Sequence, residues 1–189
     1  MIRSVNNSLS NTQIAYKGSH TRTSDGTPYY KTNSAMKIGG SIAAFDVATI
    51  LLFAPKTITK NILSIAYPII AHIGSALFID HMRNKESAKV AEEIRSKGLR
   101  SAIHKNDKIM LSRNGRGYYE SNTGAKHGTW LGATCGLINT LNPKLYTPQS
   151  SKALKIFSTI AGIGFSALGG HLLGKWSDNI ANKDARRNA

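Results

Sequence analysis

Long apolar stretches alternate with polar, basic ones along this chain. Residues 38–54 are apolar and small apart from Asp46; 61–79 and 156–174 are each 19 residues without Asp, Glu, Lys or Arg, and 127–143 is 17. A helix needs about 20 mostly apolar residues to cross a bilayer, within a range of about 17–25. The pattern therefore predicts four apolar helices. Asn33-Ser34 and Asn122-Thr123 supply good N-cap residue types ahead of the first and third. Pro55 and Pro143 end those helices, because proline cannot continue the hydrogen-bond ladder. Each pair then reads as a helical hairpin with a short proline turn.

Ahead of the second hairpin, Lys108-Ile-Met-Leu-Ser and Gly-Tyr-Tyr-Glu flank Asn114-Gly115, which predicts two short strands around a turn. The counterpart around Asp25-Gly26 is poorer, since Pro28 cannot donate to a ladder. Between the hairpins, Val90, Ile94 and Leu99 suggest a short surface helix, and Glu93 with Lys97 makes a supportive pair four residues apart. The expected fold class is mainly all-α and transmembrane: four apolar helices as two tandem helical hairpins, each preceded by a short turn or β-hairpin.

The chain repeats itself. Over 25–39 against 114–128, at an offset of 89, Gly26, Tyr29, Tyr30, Asn33, Lys37 and Gly39 recur as Gly115, Tyr118, Tyr119, Asn122, Lys126 and Gly128. A weaker match aligns Ser75-Ala76-Leu77 with Ser166-Ala167-Leu168 and places His81 near His171. This gives an expected organisation. Residues 1–24 form a disordered tail or export signal, 25–83 the first repeat and 84–110 a basic linker; 111–177 form the second repeat and 178–189 a basic tail.

Charge narrows the partners. Lys and Arg number 25 against 10 acids, a net charge of +15, which calls for an anionic partner such as phospholipid headgroups or nucleic acid. Cys135 is the single cysteine, so neither a disulfide framework within the chain nor a Cys-rich zinc site is available; its place in an apolar run favours a buried, inert thiol. Residues 1–24 carry no acid, are rich in Ser, Thr and Asn, and contain no apolar core for a secretory signal peptide. A disordered tail, an uncleaved bacterial export signal and an organelle transit peptide all remain open for them.

Mean hydropathy is only −0.23, but small residues favour lipid. Gly128, Gly132 and Gly136 recur every four residues, as do Gly162, Ser166, Gly170 and Gly174; the first helix carries Gly40 and Ala44. Such stripes let helix backbones approach closely in a membrane, whereas each glycine costs a soluble helix about 1 kcal/mol relative to alanine. Tyr29, Tyr30, Tyr118, Tyr119 and Trp176 are placed at the polar–apolar boundary, where amphipathic rings sit well. A soluble bundle stays open, because the stretches are short and include Asp46, His72 and Lys155. The basic segments would favour anionic headgroups, at about 1 kcal/mol for each well-placed Lys or Arg.

Candidate chemistry is sparse. Asp46, mid-helix, marks a possible intramembrane site or a partner for His72. His72 and His171 read as partnered packing residues, and Asp80-His81 as a solvated or interfacial pair at a helix end. No nucleophile elbow, His-Glu-x-x-His or phosphate loop occurs, so no enzyme, cofactor or metal is expected. Arg113 and Arg116 near Tyr118 and Tyr119 offer a weak nucleic-acid surface, and nucleic acid is disfavoured.

Over 36–81 and 126–174 the chain resembles, in format, the bilobed hairpins of chlamydial inclusion-membrane proteins and other bacterial effectors that lodge in host membranes. That resemblance implies a non-enzymatic membrane protein, secreted into a host cell and presenting a basic surface to lipid. Association through helices with itself or a partner membrane protein is expected. Two alternatives stand beside it: a small channel or pore built by glycine-stripe oligomerisation, and a soluble basic α-helical protein that binds nucleic acid.

Overall fold

A computed structural model describes residues 21–53, 63–140 and 151–189, apart from Asp25, Pro28 and Asn114. The expected turns at Pro55 and Pro143, the turn residues Asp25 and Asn114, and residues 1–20 of the expected tail lie outside them. The described chain is mainly helical. Its elements are α1 (Ser34–Phe53), α2 (Leu63–Lys97), α3 (Leu99–Lys105), β1 (Ile109–Leu111), β2 (Gly117–Tyr119), α4 (Thr123–Thr140) and α5 (Lys152–Asn188). α1 over Ser34–Leu52 and α5 are long and apolar enough to cross a membrane.

The residues group into two compact units. The helical unit takes Thr32–Arg83 and Ser121–Ala181; the mixed unit takes 21–31, Asn84–Glu120 and Asn182–Ala189. The grouping is not sequential, because α2 and α5 each supply residues to both.

In the mixed unit β1 and β2 pair antiparallel, with Ile109 opposite Tyr119 and Leu111 opposite Gly117. This is the hairpin expected from the Asn-Gly turn, and Gly115 takes the positive φ of 72° that a turn glycine supplies. The segment 84–97 is not a separate surface helix. It is the continuation of α2, which ends at Lys97 before Gly98 (φ 79°, ψ 152°), a backbone region essentially reserved for glycine. Val90 and Ile94 face inward, as the spacing predicts, and with Ala91 they pack against Ala102, Ile109, Tyr118, Tyr119, Ala185 and Ala189. Tyr29, Tyr30, Leu99 and Ile103 close over them. Lys97 Nζ lies 2.8 Å from Glu93 Oε1 on the exposed side.

In the helical unit α1 runs antiparallel to α2: Met36 meets Asp80, Gly39 meets Ala76, and Asp46 meets His72. α4 runs antiparallel to α5 in the same manner. A methyl group added to Gly128 or Gly132 would run into the carbonyl oxygen of Gly170 or Ser166, and one on Gly136 would lie 2.9 Å from Ile163 Cα. The backbones touch with no side chain between them, so only glycine fits on α4.

Candidate functional site

Both apolar helix pairs are closed at one end by the same device. The first N–H groups of a helix have no partner inside it. In α1, Ser34 N–H donates to Thr32 Oγ1 (3.2 Å), while Ala35 and Met36 N–H donate to the two carboxylate oxygens of Asp80, at 3.1 and 2.8 Å. In α4, Thr123 N–H donates to Ser121 Oγ (3.1 Å), and Gly124 and Ala125 N–H donate to the two oxygens of Asp178, at 2.9 and 2.8 Å. Asn33 and Asn122 precede the helices as expected, but the carboxylate caps come from the following long helix. Asp80 is therefore buried rather than solvated or interfacial; His81 beside it is exposed.

One arginine serves both caps. Arg83 Nη1 donates to Asp80 Oδ1 (3.0 Å) and Ser34 Oγ (2.7 Å); Nη2 donates to Asp178 Oδ1 (2.8 Å) and Ser177 Oγ (3.0 Å). Ser34 Oγ also lies 3.0 Å from the carbonyl oxygen of Ser177. Arg83 is 2% exposed, and its Nε has no hydrogen-bond partner among the described residues. Burial pushes the Asp80 carboxyl above its usual range, opposed by the Met36 and Ala35 N–H groups and by the Arg83 charge. The fixed charges are two carboxylates and one guanidinium. Each carboxylate also faces the positive end of a helix dipole, which offsets the excess.

The cluster revises the register of the repeat. Asp80 and Asp178 are equivalent in space, an offset of 98. At this offset Asn84-Lys85 matches Asn182-Lys183, and Met82 and Glu86 match Ile180 and Asp184. The weaker alignment of Ser75-Ala76-Leu77 with Ser166-Ala167-Leu168 is displaced by seven residues, about two helical turns. A displacement of two turns returns to the same helix face, which is why that alignment looks plausible. Ala181, which takes the place of Arg83 in the second copy, is buried.

The other singled-out residues separate clearly. Gly128, Gly132 and Gly136 of α4 face Gly162, Ser166, Gly170 and Gly174 of α5 within the one chain. On α1 the close approach falls at Gly39: an added methyl would lie 2.7 Å from both Ala76 Cβ and the His72 carbonyl oxygen. Gly40 meets nothing within 4 Å and Ala44 is exposed, so the α1 contact stripe is one residue out from the one the spacing suggests. Asp46 Oδ2 lies 3.0 Å from His72 Nε2, and His171 Nδ1 lies 3.0 Å from Thr129 Oγ1. Cys135 is half-buried. Tyr118 and Tyr119 are buried in the mixed core, with the Tyr119 hydroxyl donating to Glu86, whereas Trp176 is 56% exposed. Among the described residues, no three His, Cys, Asp or Glu side chains gather as a metal site.

The surface of the helical unit is the remaining feature. Apart from Met110 and Leu111, every large exposed apolar side chain among the described residues belongs to it, including Leu52 at 74%, Phe157 at 71% and Phe165 at 76%. Only 22% of the apolar window in α1 is buried, and none of that in α5. The chain matches no protein-family model, no curated protein and no solved structure.

Proposed function

We propose that the chain is a non-enzymatic integral membrane protein whose helical unit, as two tandem helical hairpins, lies in a bilayer. The carrying observation is the inverted distribution of size and polarity in that unit. Small residues, two isoleucines and a buried ion cluster lie inside, and most of the large apolar side chains lie outside. A monomer in water rarely exposes so large an apolar surface, and a soluble core helix of the composition of α5 would be mostly buried. The Asp80–Arg83–Asp178 cluster falls just beyond the apolar stretch 61–79 and holds the polar end of the bundle closed. Of the 25 Lys and Arg residues, 14 belong to the described segments of the mixed unit, and they supply attraction to anionic headgroups.

The buried tyrosines weigh against base stacking, and the glycine stripe, spent between α4 and α5, weighs against a pore assembled through it. Secretion into a host remains the finer part of the reading, carried by the acid-free residues 1–24 and the resemblance in format. A reporter fused behind 1–24 and assayed for translocation tests that part. Alkaline carbonate extraction of membranes from expressing cells tests the membrane reading itself. Retention in the pellet is expected, and release of the intact chain into the supernatant would overturn it.

A further inference from the structure

The four helices of the helical unit do not meet along their whole length. They leave an elongated cavity of about 330 Å3, walled by α1, α2, α4 and α5. On α2 its wall runs from Tyr67 to Ile79, twelve residues apart, or about 18 Å at 1.5 Å per residue. The space is therefore elongated along the helices. Its walls are mainly aliphatic side chains and glycine backbone. Two of its polar groups are already engaged: Ser177 with Ser34 and Arg83, and His72 with Asp46. Apolar cavities of this kind stay dry and take apolar guests. The cavity also opens to the outside, since its wall residues Tyr67 and Leu173 are 41% and 37% exposed, continuous with the exposed apolar surface of the unit.

We propose that this cavity holds one unbranched acyl chain. Length, apolar lining and an opening onto exposed apolar surface suit an extended hydrocarbon chain and not a water file. The opening onto the lipid-facing surface gives a membrane phospholipid a route to insert one of its chains. The phospholipid source rests on the membrane reading; the acyl-chain chemistry does not.

The test uses the full chain, purified in mild detergent and weighed by native mass spectrometry, beside two variants. Gly169 lines the cavity, and a methyl added there meets nothing within 4 Å, so Gly169→Leu adds bulk to the wall without a clash at its Cβ. Ala71→Leu enters from α2. The wild type is expected to retain one lipid per chain, and each variant at least tenfold less, with helical content by circular dichroism unchanged. The retained mass separates the sources, phospholipid or free fatty acid. Equal retention by wild type and correctly folded variants, or a wild type that holds no lipid and takes up no cis-parinaric acid, overturns the proposal. Release in carbonate extraction with one cis-parinaric acid still bound per chain, lost in Gly169→Leu, would leave the cavity assignment standing with a fatty acid as its source while the membrane reading failed.

Discussion

The two units of this chain solve the burial problem in opposite ways. The mixed unit packs as proteins in water do: Val90, Ile94, Ile109, Tyr118 and Tyr119 turn inward while Glu93 and Lys97 pair outside. The helical unit puts glycine, alanine, serine, Ile38, Ile79 and a buried ion cluster inside and leaves most of its large apolar side chains exposed. With the helical unit in a bilayer, as proposed above, the difference teaches which force holds each. Water drives large apolar groups together. Lipid is as apolar as leucine and exerts no such drive, so helices there associate through close backbone contact and satisfied polar groups.

The largest expected effect strikes that backbone contact. Gly170→Leu forces a side chain into the Gly128 carbonyl and should cost roughly 4 kcal/mol or more, read as the midpoint of detergent-denaturant unfolding. Gly164→Leu, where an added methyl meets nothing within 4 Å, is the matched control and should be near neutral. If both leucines cost the same, the glycines matter by propensity and not by contact.

Arg83→Ala comes next. It leaves Asp80 and Asp178 buried without their shared cation, and removal of one partner from a buried ion pair costs roughly 3–5 kcal/mol. The same unfolding assay reads it. Asp80→Asn keeps an acceptor for one of the α1 N–H groups and should lose less than Asp80→Ala.

In the mixed unit, Gly98→Ala places a side chain at φ 79°, ψ 152°, a strain of order 1–3 kcal/mol. Hydrogen exchange at the amides of 109–119 should speed up accordingly. The smallest effect sharpens the contrast most. Phe165→Gln, on a ring 76% exposed, should change unfolding in detergent by less than about 0.5 kcal/mol yet weaken retention in carbonate-washed membranes. A large loss of stability from this exposed position would mean that Phe165 packs against protein.

Much of the architecture was readable in the residues. Local rules placed the starts of α1 and α4, because Asn33 and Asn122 accept the first helical hydrogen bonds. They placed the β-hairpin as well, because its turn needs a glycine at positive φ. The four-residue glycine spacing on α4 and α5 marked the faces that meet. The α1 stripe was misjudged by one residue, since Gly39 and Gly40 are adjacent and spacing alone does not say which carries the contact. The ion cluster was missed although its trace, Asp-x-x-x-Asn-Lys at an offset of 98, lies in the sequence. Its offset differs from the 89 that governs the helix starts, so a single alignment register hides it.

By itself, the sequence determined the mainly helical character, the β-hairpin and the excess of positive charge, all of which follow from local propensity, period and composition. Only the tertiary structure decided that Tyr118 and Tyr119 are core rather than boundary residues, that both carboxylate caps come from distant helices, and that one arginine joins them. Those outcomes depend on which distant segments meet, and the free energy of burying a charge or a ring is set by the neighbours that folding brings to it.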